Sequence, residues 1–225
     1  MSAAHIETQD GMWGVGRIRT PHGVIPYPLS HRDIESDTRW ALAVFERMGV
    51  CAGKQVLFIG AGAQWGQDWP YQNAAMRIAT IASYAENSPF DAYRVEMFTR
   101  RFRFHAVLGV SGAILDGLEQ AGHDLARVFA HVPVVCAMVE AAPRLLAKGV
   151  RCWRQIDLGA TYAFESPDEQ GARYDESEWL VESRDGALLI SARHPRASPF
   201  VRLSSGVSGA LAAGDDRRIL LPQAR

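Results

Sequence analysis

Residues 131–165 hold the feature that most constrains the fold: an apolar segment, a turn with a proline, a short helix pattern and a second apolar segment. Residues 132–139 are rich in valine and uncharged, which is typical of a strand buried on both faces of a parallel sheet. Pro143 suits the first position of a helix, because its missing N–H costs nothing there. Gly149 can end that helix in a left-handed conformation, and residues 150–156 then predict a second strand.

The same alternation runs through the first half of the chain. Strand patterns at residues 55–59, 80–84 and 106–110 alternate with helix patterns at residues 34–48, 71–79 and 113–121. This order predicts an α/β fold with a mostly parallel sheet covered by helices. Ser30 and Asp33 have the spacing of a capping box at the start of the first helix.

The pattern changes after residue 165 to short strands separated by turns. Residues 178–182, 187–192 and 200–203 are the strand candidates, and the turn at Asp185 and Gly186 is typical of a hairpin. We therefore expect a small antiparallel β lobe at the C-terminal end. The predicted regions are a flexible N-terminal arm over residues 1–16, an α/β domain over residues 17–172, and the lobe with its tail over residues 173–225.

Four motifs carry a resemblance to a known family. They are residues 103–115, the turn 139–143, the loop 158–162 and residues 186–202. In this order they are similar to a strand and helix with acyl-pocket residues, a Gly-Glu-Ala-Leu turn, a Tyr-Gly-x-Thr-Glu loop and a Gly-Glu-Leu-Val stretch ending in Pro-Leu-Ile-Arg. Together they resemble the adenylate-forming superfamily, which includes acyl-CoA synthetases, phenylacetate-CoA ligases and luciferases. The resemblance spans residues 22–206, the central part of the family's N-terminal domain.

The resemblance implies a pocket for an acyl or aryl carboxylate, or for its thioester, at the carboxyl edge of the sheet. The candidate ligand-binding residues that it places there are His105, Gly109, Glu140, Ala141, Gly159, Ala160, Thr161 and Arg202. The family binds magnesium through the glutamate of the Tyr-Gly-x-Thr-Glu loop, and Tyr162 stands at that position. Glu165, three residues later, is therefore the candidate catalytic residue.

The sequence departs from the family where the resemblance places ATP. The phosphate loop falls at residues 19–23, which have one threonine, one glycine and no lysine, and the ribose-binding aspartate falls at Val207. The family's first sheet and its C-terminal lid have no counterpart in the resemblance. We therefore assign no cofactor, do not expect ATP or magnesium to bind, and expect no ATP-dependent ligase activity from the chain alone.

Two functions follow from this interpretation. In the first, the chain retains the acyl or aryl pocket and binds or processes a carboxylate or a thioester. In the second, it is a non-catalytic partner of a complete ligase or of a second copy of itself, because an incomplete fold exposes apolar surface that must be covered. We accordingly expect a homo-oligomer or a protein partner.

A glycine-rich turn between Gly60 and Gly66 supports a different class of function. It follows an apolar strand, and Glu86 comes 20 residues after Gly66, which partly fits the fingerprint of a Rossmann-like enzyme that uses NAD or S-adenosylmethionine. Pro70 argues against this alternative, because proline is tolerated only in the first turn of a helix. We therefore predict that the next helix begins at Tyr71 rather than at the turn, where its N-terminus could bind phosphates.

Charge and cysteine content exclude several other classes. The chain has 24 Lys and Arg residues against 25 Asp and Glu residues, so no overall field would attract nucleic acid or an anionic membrane. No apolar segment approaches the roughly 20 residues that a membrane span needs, and no group of residues has the spacing of a zinc site. The isolated Cys51, Cys136 and Cys152, and a start that does not resemble a signal peptide, predict a reducing, cytoplasmic setting.

Overall fold

The structure, a computed structural model, describes residues 11–20, 23–60, 64–213 and 217–222. The strands in chain order are β1 (Met12–Thr20), β2 (Gly23–Ser30), β3 (Gln55–Gly60), β4 (Ile81–Glu86), β5 (Phe104–Val110), β6 (Val134–Met138), β7 (Trp153–Asp157), β8 (Tyr162–Glu165), β9 (Trp179–Arg184), β10 (Ala187–Ala192), β11 (Leu203–Ser208), β12 (Ala210–Leu211) and β13 (Ile219–Leu220). The α-helices are α1 (His31–Arg47), α2 (Trp65–Arg77), α3 (Ala92–Arg101), α4 (Gly112–Gln120), α5 (Leu125–Phe129) and α6 (Ala142–Ala147), and a 3₁₀ helix covers Pro89–Asp91.

A six-stranded sheet forms the centre of the fold, in the order β4-β3-β5-β6-β7-β8. The first five of these strands are parallel, and β8 runs antiparallel to β7. Helices cover both faces, as the alternation predicts. Leu57, Val107 and Val135 on one face belong to a core cluster with α3 to α6. Val56 and Ala106 on the other face belong to a second cluster with α1 and α2.

Helix α1 begins at the predicted capping box. The Ser30 hydroxyl accepts a hydrogen bond from the Asp33 backbone N–H at 3.1 Å, and the Asp33 carboxylate accepts one from the Ser30 N–H at 2.9 Å. Each contact satisfies a donor that has no partner within the helix. The helix thus starts immediately after β2 and packs through Val44 and Phe45 against the sheet.

Helix α2 begins at Trp65, so the prediction of a start at Tyr71 is wrong. Pro70 lies inside the helix, where a proline removes one backbone hydrogen bond to the carbonyl four residues earlier. Tyr71, Ala74 and Ala75 are buried in the second core cluster. Since most helical stability in a protein comes from the packing of one face, this burial outweighs the missing bond.

The remaining strands form three small antiparallel sheets: β1 with β2, β11-β10-β9, and β12 with β13. The predicted β lobe is therefore present, but the strand predicted at residues 200–203 is wrong. Arg202 has a φ of 48°, a left-handed conformation that does not continue a strand, and β11 begins after it. Phe200 instead packs its ring 5.6 Å from that of Trp179.

The N-terminal hairpin includes residues that were predicted to belong to a flexible arm. Residues 1–10 lie outside the described part of the chain, whereas residues 12–16 belong to β1 and pair with β2. The ring of Trp13 lies 5.7 Å from that of Trp69 on α2, so packing against α2 holds the start of β1. Of the helices in the described ranges, none combines the length and apolar character needed to cross a membrane.

Candidate functional site

A cavity of about 330 Å³ lies at the carboxyl ends of β3, β4 and β5. Its volume is at the lower end of the range for pockets that bind small molecules, about 300–1,000 Å³. Six of its lining residues are aromatic, namely Phe58, Trp65, Tyr71, Tyr84, Tyr162 and Phe164. The polar side chains in its wall belong mainly to Asp68, Gln72, Glu86 and Gln155. A mostly apolar wall with a few placed polar groups is typical of a ligand site.

Gly109 forms one wall, where β5 loses its regular pairing with β6. Its φ is +82°, and a side chain there would place its Cβ atom 2.1 Å from the carbonyl oxygen of Ile59. Its N–H donates a 3.1 Å hydrogen bond to the side-chain oxygen of Gln155 on β7. Only glycine fits this position. Gly109, which the sequence predicted to bind the ligand, thus lines the cavity.

Asp68 and Tyr162 form the most polar part of the wall. The Tyr162 hydroxyl, at the start of β8, donates a 2.8 Å hydrogen bond to Asp68 Oδ1 on α2. The other carboxylate oxygen lies against Gly60, where an added Cβ would be only 2.5 Å from Asp68 Oδ2. The glycine at the end of β3 thus gives the carboxylate the space that it occupies.

Burial dominates the electrostatics of this pair. The pKa of Asp68 is raised to about 7: burial is the largest cause, the hydrogen bond from Tyr162 opposes it, and the charge of the neighbouring Asp157 acts in the same direction as burial. Burial also raises the pKa of Tyr162 well above its ordinary value, with the charges of Asp68 and Asp157 acting in the same direction. At neutral pH Tyr162 is therefore a phenol donor, and Asp68 lies close to the midpoint of its titration.

The predicted loop at Gly159, Ala160 and Thr161 lies next to the cavity but does not line it. Ala160 and Thr161 are buried, and the carbonyl of Gly159 accepts a hydrogen bond from the side-chain amide of Gln67 on α2. Asp157 accepts bonds from the Gly159 N–H at 2.7 Å and from the Gln64 side chain at 3.0 Å. The loop therefore fixes α2 against the edge of the sheet.

His105 and Glu165 lie toward the other end of the sheet's strands from the cavity. His105 comes at the start of β5, and its Nε2 lies 3.0 Å from the carbonyl oxygen of Met48. Glu165 ends β8 opposite Arg154, with which it forms an ion pair, and it accepts a 2.9 Å bond from the Gly171 N–H. Since β8 is antiparallel, the chain moves away from the cavity between Tyr162 and Glu165.

The other predicted residues also lie outside the cavity wall. Glu140 is exposed and Ala141 is buried in the turn between β6 and α6. Arg202 lies in the β lobe, where its exposed side chain forms an ion pair with Glu182 at 3.2 Å. Of the eight predicted ligand-binding residues, Gly109 alone lines the cavity.

Sequence reasoning missed the polar residues that matter most here. Trp65, Asp68 and Gln72 recur at the spacing of one helix face and all line the cavity. This spacing was readable from the sequence, but the prediction that the helix begins at Tyr71 placed Trp65 and Asp68 outside it. Gln155 gave no such signal, because it reaches Gly109 from two strands away.

The residues present do not fit the magnesium site that the resemblance implies. Tyr162 offers a phenol that donates to Asp68 instead of a carboxylate that binds a cation. Within the described ranges, no group of three or more His, Cys, Asp or Glu side chains is placed to hold a metal ion. Thr20 and Gly23 pair at the end of the first hairpin, while Pro21 and His22 of the predicted phosphate loop, and residues 61–63 of the glycine-rich turn, lie outside the described residues.

No protein-family model and no curated protein matches the sequence. Solved structures match the fold over nearly its whole length. A 2-hydroxyisobutyryl-CoA ligase in complex with 2-HIB-AMP and CoA superposes with a TM-score of 0.71 at 13% identity, over 96% of this chain and 57% of the ligase. An o-succinylbenzoate-CoA synthetase from Bacillus subtilis, bound with its product analogue, gives 0.61 at 11% identity, over 97% of this chain and 50% of that one.

A third structure, the Escherichia coli MenE protein with a bound analogue of OSB-AMS, gives a TM-score of 0.59 at 11% identity, over 98% of this chain and 50% of its own. At such identities the matches establish a common fold. The chain spans a little over half the length of the first of these structures.

Proposed function

We propose that this chain, which has the fold of the adenylate-forming acyl-CoA and aryl-CoA ligases, binds a small acyl or aryl carboxylate, or its thioester, in the cavity beside Gly109. The observation that carries the proposal is the cavity itself. It lies at the carboxyl edge of a parallel sheet, where α/β proteins bind ligands, and six of its 15 lining residues are aromatic. The solved ligases of the same fold were captured with acyl-AMP or acyl-CoA ligands and analogues.

We further propose that the chain does not carry out ATP-dependent adenylation by itself. Adenylation needs groups that stabilise the charge that develops on the pyrophosphate leaving group. Tyr162 stands where the resemblance implies the magnesium carboxylate, and its hydroxyl already donates to Asp68. Glu165, the candidate substitute, is engaged by Arg154 and Gly171 away from the cavity.

The nucleotide-cofactor alternative has weaker support. The start of α2 at Trp65 removes the objection that Pro70 raised, but the solved structures named above are ligases and give no support to a Rossmann-like enzyme. Thermal unfolding with NAD, NADP or S-adenosylmethionine tests the alternative, since a ligand that prefers the native state raises the melting temperature. We expect no shift.

Calorimetric titration with benzoate, phenylacetate, short fatty acids and their CoA thioesters tests binding. Gln72→Phe places a ring into the cavity from α2, whereas Gln120→Phe makes the same change at an exposed position on α4. We expect at least one ligand to bind the native chain and the Gln120→Phe variant equally, and Gln72→Phe to weaken binding by about tenfold or more, because the cavity is small. Equal binding by all three proteins would refute the proposal.

Pyrophosphate exchange with ATP and the same acids tests the second part. We expect no exchange above the protein-free rate. Exchange that disappears in Glu165→Gln would contradict our placement of Glu165, and exchange that survives in that variant would show adenylation by other groups.

Self-association and a cytoplasmic setting stay predictions. The described cysteines Cys51, Cys136 and Cys152 are free, as expected in a reducing setting, and burial raises the pKa of the Cys152 thiol to about 11, so little reactive thiolate forms there at neutral pH. Sedimentation velocity at micromolar concentration tests for a homo-oligomer, and a single monomeric species would contradict it.

A further inference from the structure

The charges in the cavity wall are of one sign. Asp68 and Glu86 supply carboxylates, and none of the described lining residues is a lysine, arginine or histidine. A carboxylate of a ligand that came close to Asp68 would meet another carboxylate in a partly buried setting, where like charges repel strongly. This part of the wall therefore suits the end of a ligand that lacks negative charge.

The Asp68 carboxylate can accept further hydrogen bonds. Among the described residues its only hydrogen-bond donor is Tyr162, which contacts Oδ1, while a carboxylate can accept about four hydrogen bonds. The raised pKa of Asp68, about 7, has a related cause: burial removes water from the carboxylate, and no cation from the described part of the chain takes the place of that water. A donor that enters the cavity would supply the missing partner.

The aromatic rings around Asp68 add to this preference. Tyr71, Tyr162 and Phe164 form a cluster with ring centroids 5.6–6.3 Å apart, and Tyr84 stacks on Phe58 at 5.6 Å. Ring faces attract ammonium groups through the cation–π interaction. A carboxylate within an aromatic wall is thus a combination that recognises a protonated amine.

We propose that the ligand of this cavity is an amino-substituted acyl or aryl acid whose protonated amine donates to the Asp68 carboxylate while its hydrocarbon part packs against the aromatic wall. The inference rests on the proposed function and specifies its substrate class. The carboxylate or thioester end of the ligand would face away from Asp68.

A matched pair of probes tests this class. The probes are 4-(aminomethyl)benzoate and 4-methylbenzoate, which differ by one amine, and the method is calorimetric titration at pH 8. We expect the amine to improve affinity by roughly tenfold or more in the native chain, as for a hydrogen bond between charged groups. Asp68→Asn should reduce that ratio to within about twofold, and Asp168→Asn, the same change at an exposed ion pair with Arg151, should preserve it.

The pH dependence gives a second readout that needs no variant. The groups near Asp68 are Asp157 of β7, Tyr162 of β8, and Tyr84 and Glu86 of β4. With a pKa of about 7, the ionised fraction of Asp68 falls about tenfold from pH 8 to pH 6. The affinity for 4-(aminomethyl)benzoate should fall by a similar factor, and that for 4-methylbenzoate should not fall.

The outcomes separate the two proposals. If 4-methylbenzoate binds in the cavity and the amine adds nothing, the proposed function stands and the amine preference is overturned. Loss of the preference in Glu86→Gln but not in Asp68→Asn also overturns it, because Glu86 would then be the acceptor. If neither these probes nor the unsubstituted acids bind, the proposed function fails as well.

If Asp68→Asn does not fold, the pH profile of the native chain decides. An affinity for 4-(aminomethyl)benzoate that does not change with pH overturns the inference.

Discussion

The hydroxyl of Tyr162 donates a 2.8 Å hydrogen bond to the carboxylate of Asp68, and this contact joins strand β8 to helix α2 beside the cavity. The two residues are far apart in the sequence, and each shifts the ionisation of the other. The bond favours the ionised form of Asp68, whereas burial favours the protonated form. The pair therefore sets the charge that Asp68 contributes to the cavity near neutral pH.

Tyr162→Phe should raise the pKa of Asp68 above its value of about 7, because it removes the one contact within the described ranges that lowers this pKa. Titration of the Asp68 carboxyl carbon by NMR measures the shift. Tyr84→Phe is the matched control, since Tyr84 lines the same cavity without a hydrogen bond to Asp68. An unchanged pKa in Tyr162→Phe would mean that the contact is not formed in solution.

Asp68→Asn should change how stability depends on pH. The pKa of Asp68 is raised from an ordinary value near 4 to about 7 in the folded state, so the unfolded chain loses this proton first as the pH rises. Native stability therefore falls between about pH 4 and 7 on account of this group, and the asparagine variant does not share that loss. Urea unfolding at pH 4.5 and 7.5 should reveal a relative gain of about 3 kcal/mol for the variant. A constant difference between the two proteins would contradict the buried position of Asp68.

Gly109→Ala should destabilise the fold far more than Gly53→Ala. Both glycines have a positive φ, of 82° and 75°, but an added Cβ at Gly109 would be 2.1 Å from a backbone oxygen, while at Gly53 it meets no atom of the described residues within 4 Å. The control should lose only the backbone strain, about 1 kcal/mol. Denaturant unfolding compares them, and equal losses would argue against the close approach of β3 and β5 at the cavity.

Arg196→Met should destabilise the protein by weakening the contact between the β lobe and α1. The Arg196 side chain is 3% exposed, lies 3.6 Å from Asp33, 2.5 Å from Asp37 and 3.4 Å from Glu178, and stacks 4.5 Å above the Trp179 ring. Its loss leaves buried carboxylates without a cation, which costs about 3–5 kcal/mol. Arg202→Met, at an exposed ion pair, should leave the unfolding midpoint nearly unchanged. Similar midpoints for the two variants would contradict the role of Arg196.

The sequence predicted the elements whose signals are local. The capping box of Ser30 and Asp33, the buried strand β6 and the left-handed Gly149 were readable because each depends on a few neighbouring residues. The alternation of strands and helices then predicted the parallel sheet. This order, with the four weak motifs, was also enough to identify the fold of the ligases.

The site was harder to predict because distant elements build it. Asp68 lies on a helix whose start was hidden by Pro70, and Gln155 reaches Gly109 from two strands away. Glu165 seemed close to the ligand edge in sequence, but the antiparallel direction of β8 carries it to the other end of the sheet. His105 lies at the start of a parallel strand, and such strands bind ligands at their carboxyl ends.

Chemical-shift mapping of the labelled chain during titration with 4-(aminomethyl)benzoate tests the central claim, that the cavity beside Gly109 holds the ligand. We predict that the saturable shifts cluster at the Gly109 amide, the Gln155 side chain and the Tyr162 ring, and that Gln72→Phe abolishes them while Gln120→Phe does not. Saturable shifts confined to the β lobe, or no saturable shifts with this probe or with any of the unsubstituted acids, would contradict the assignment of this cavity as the ligand site.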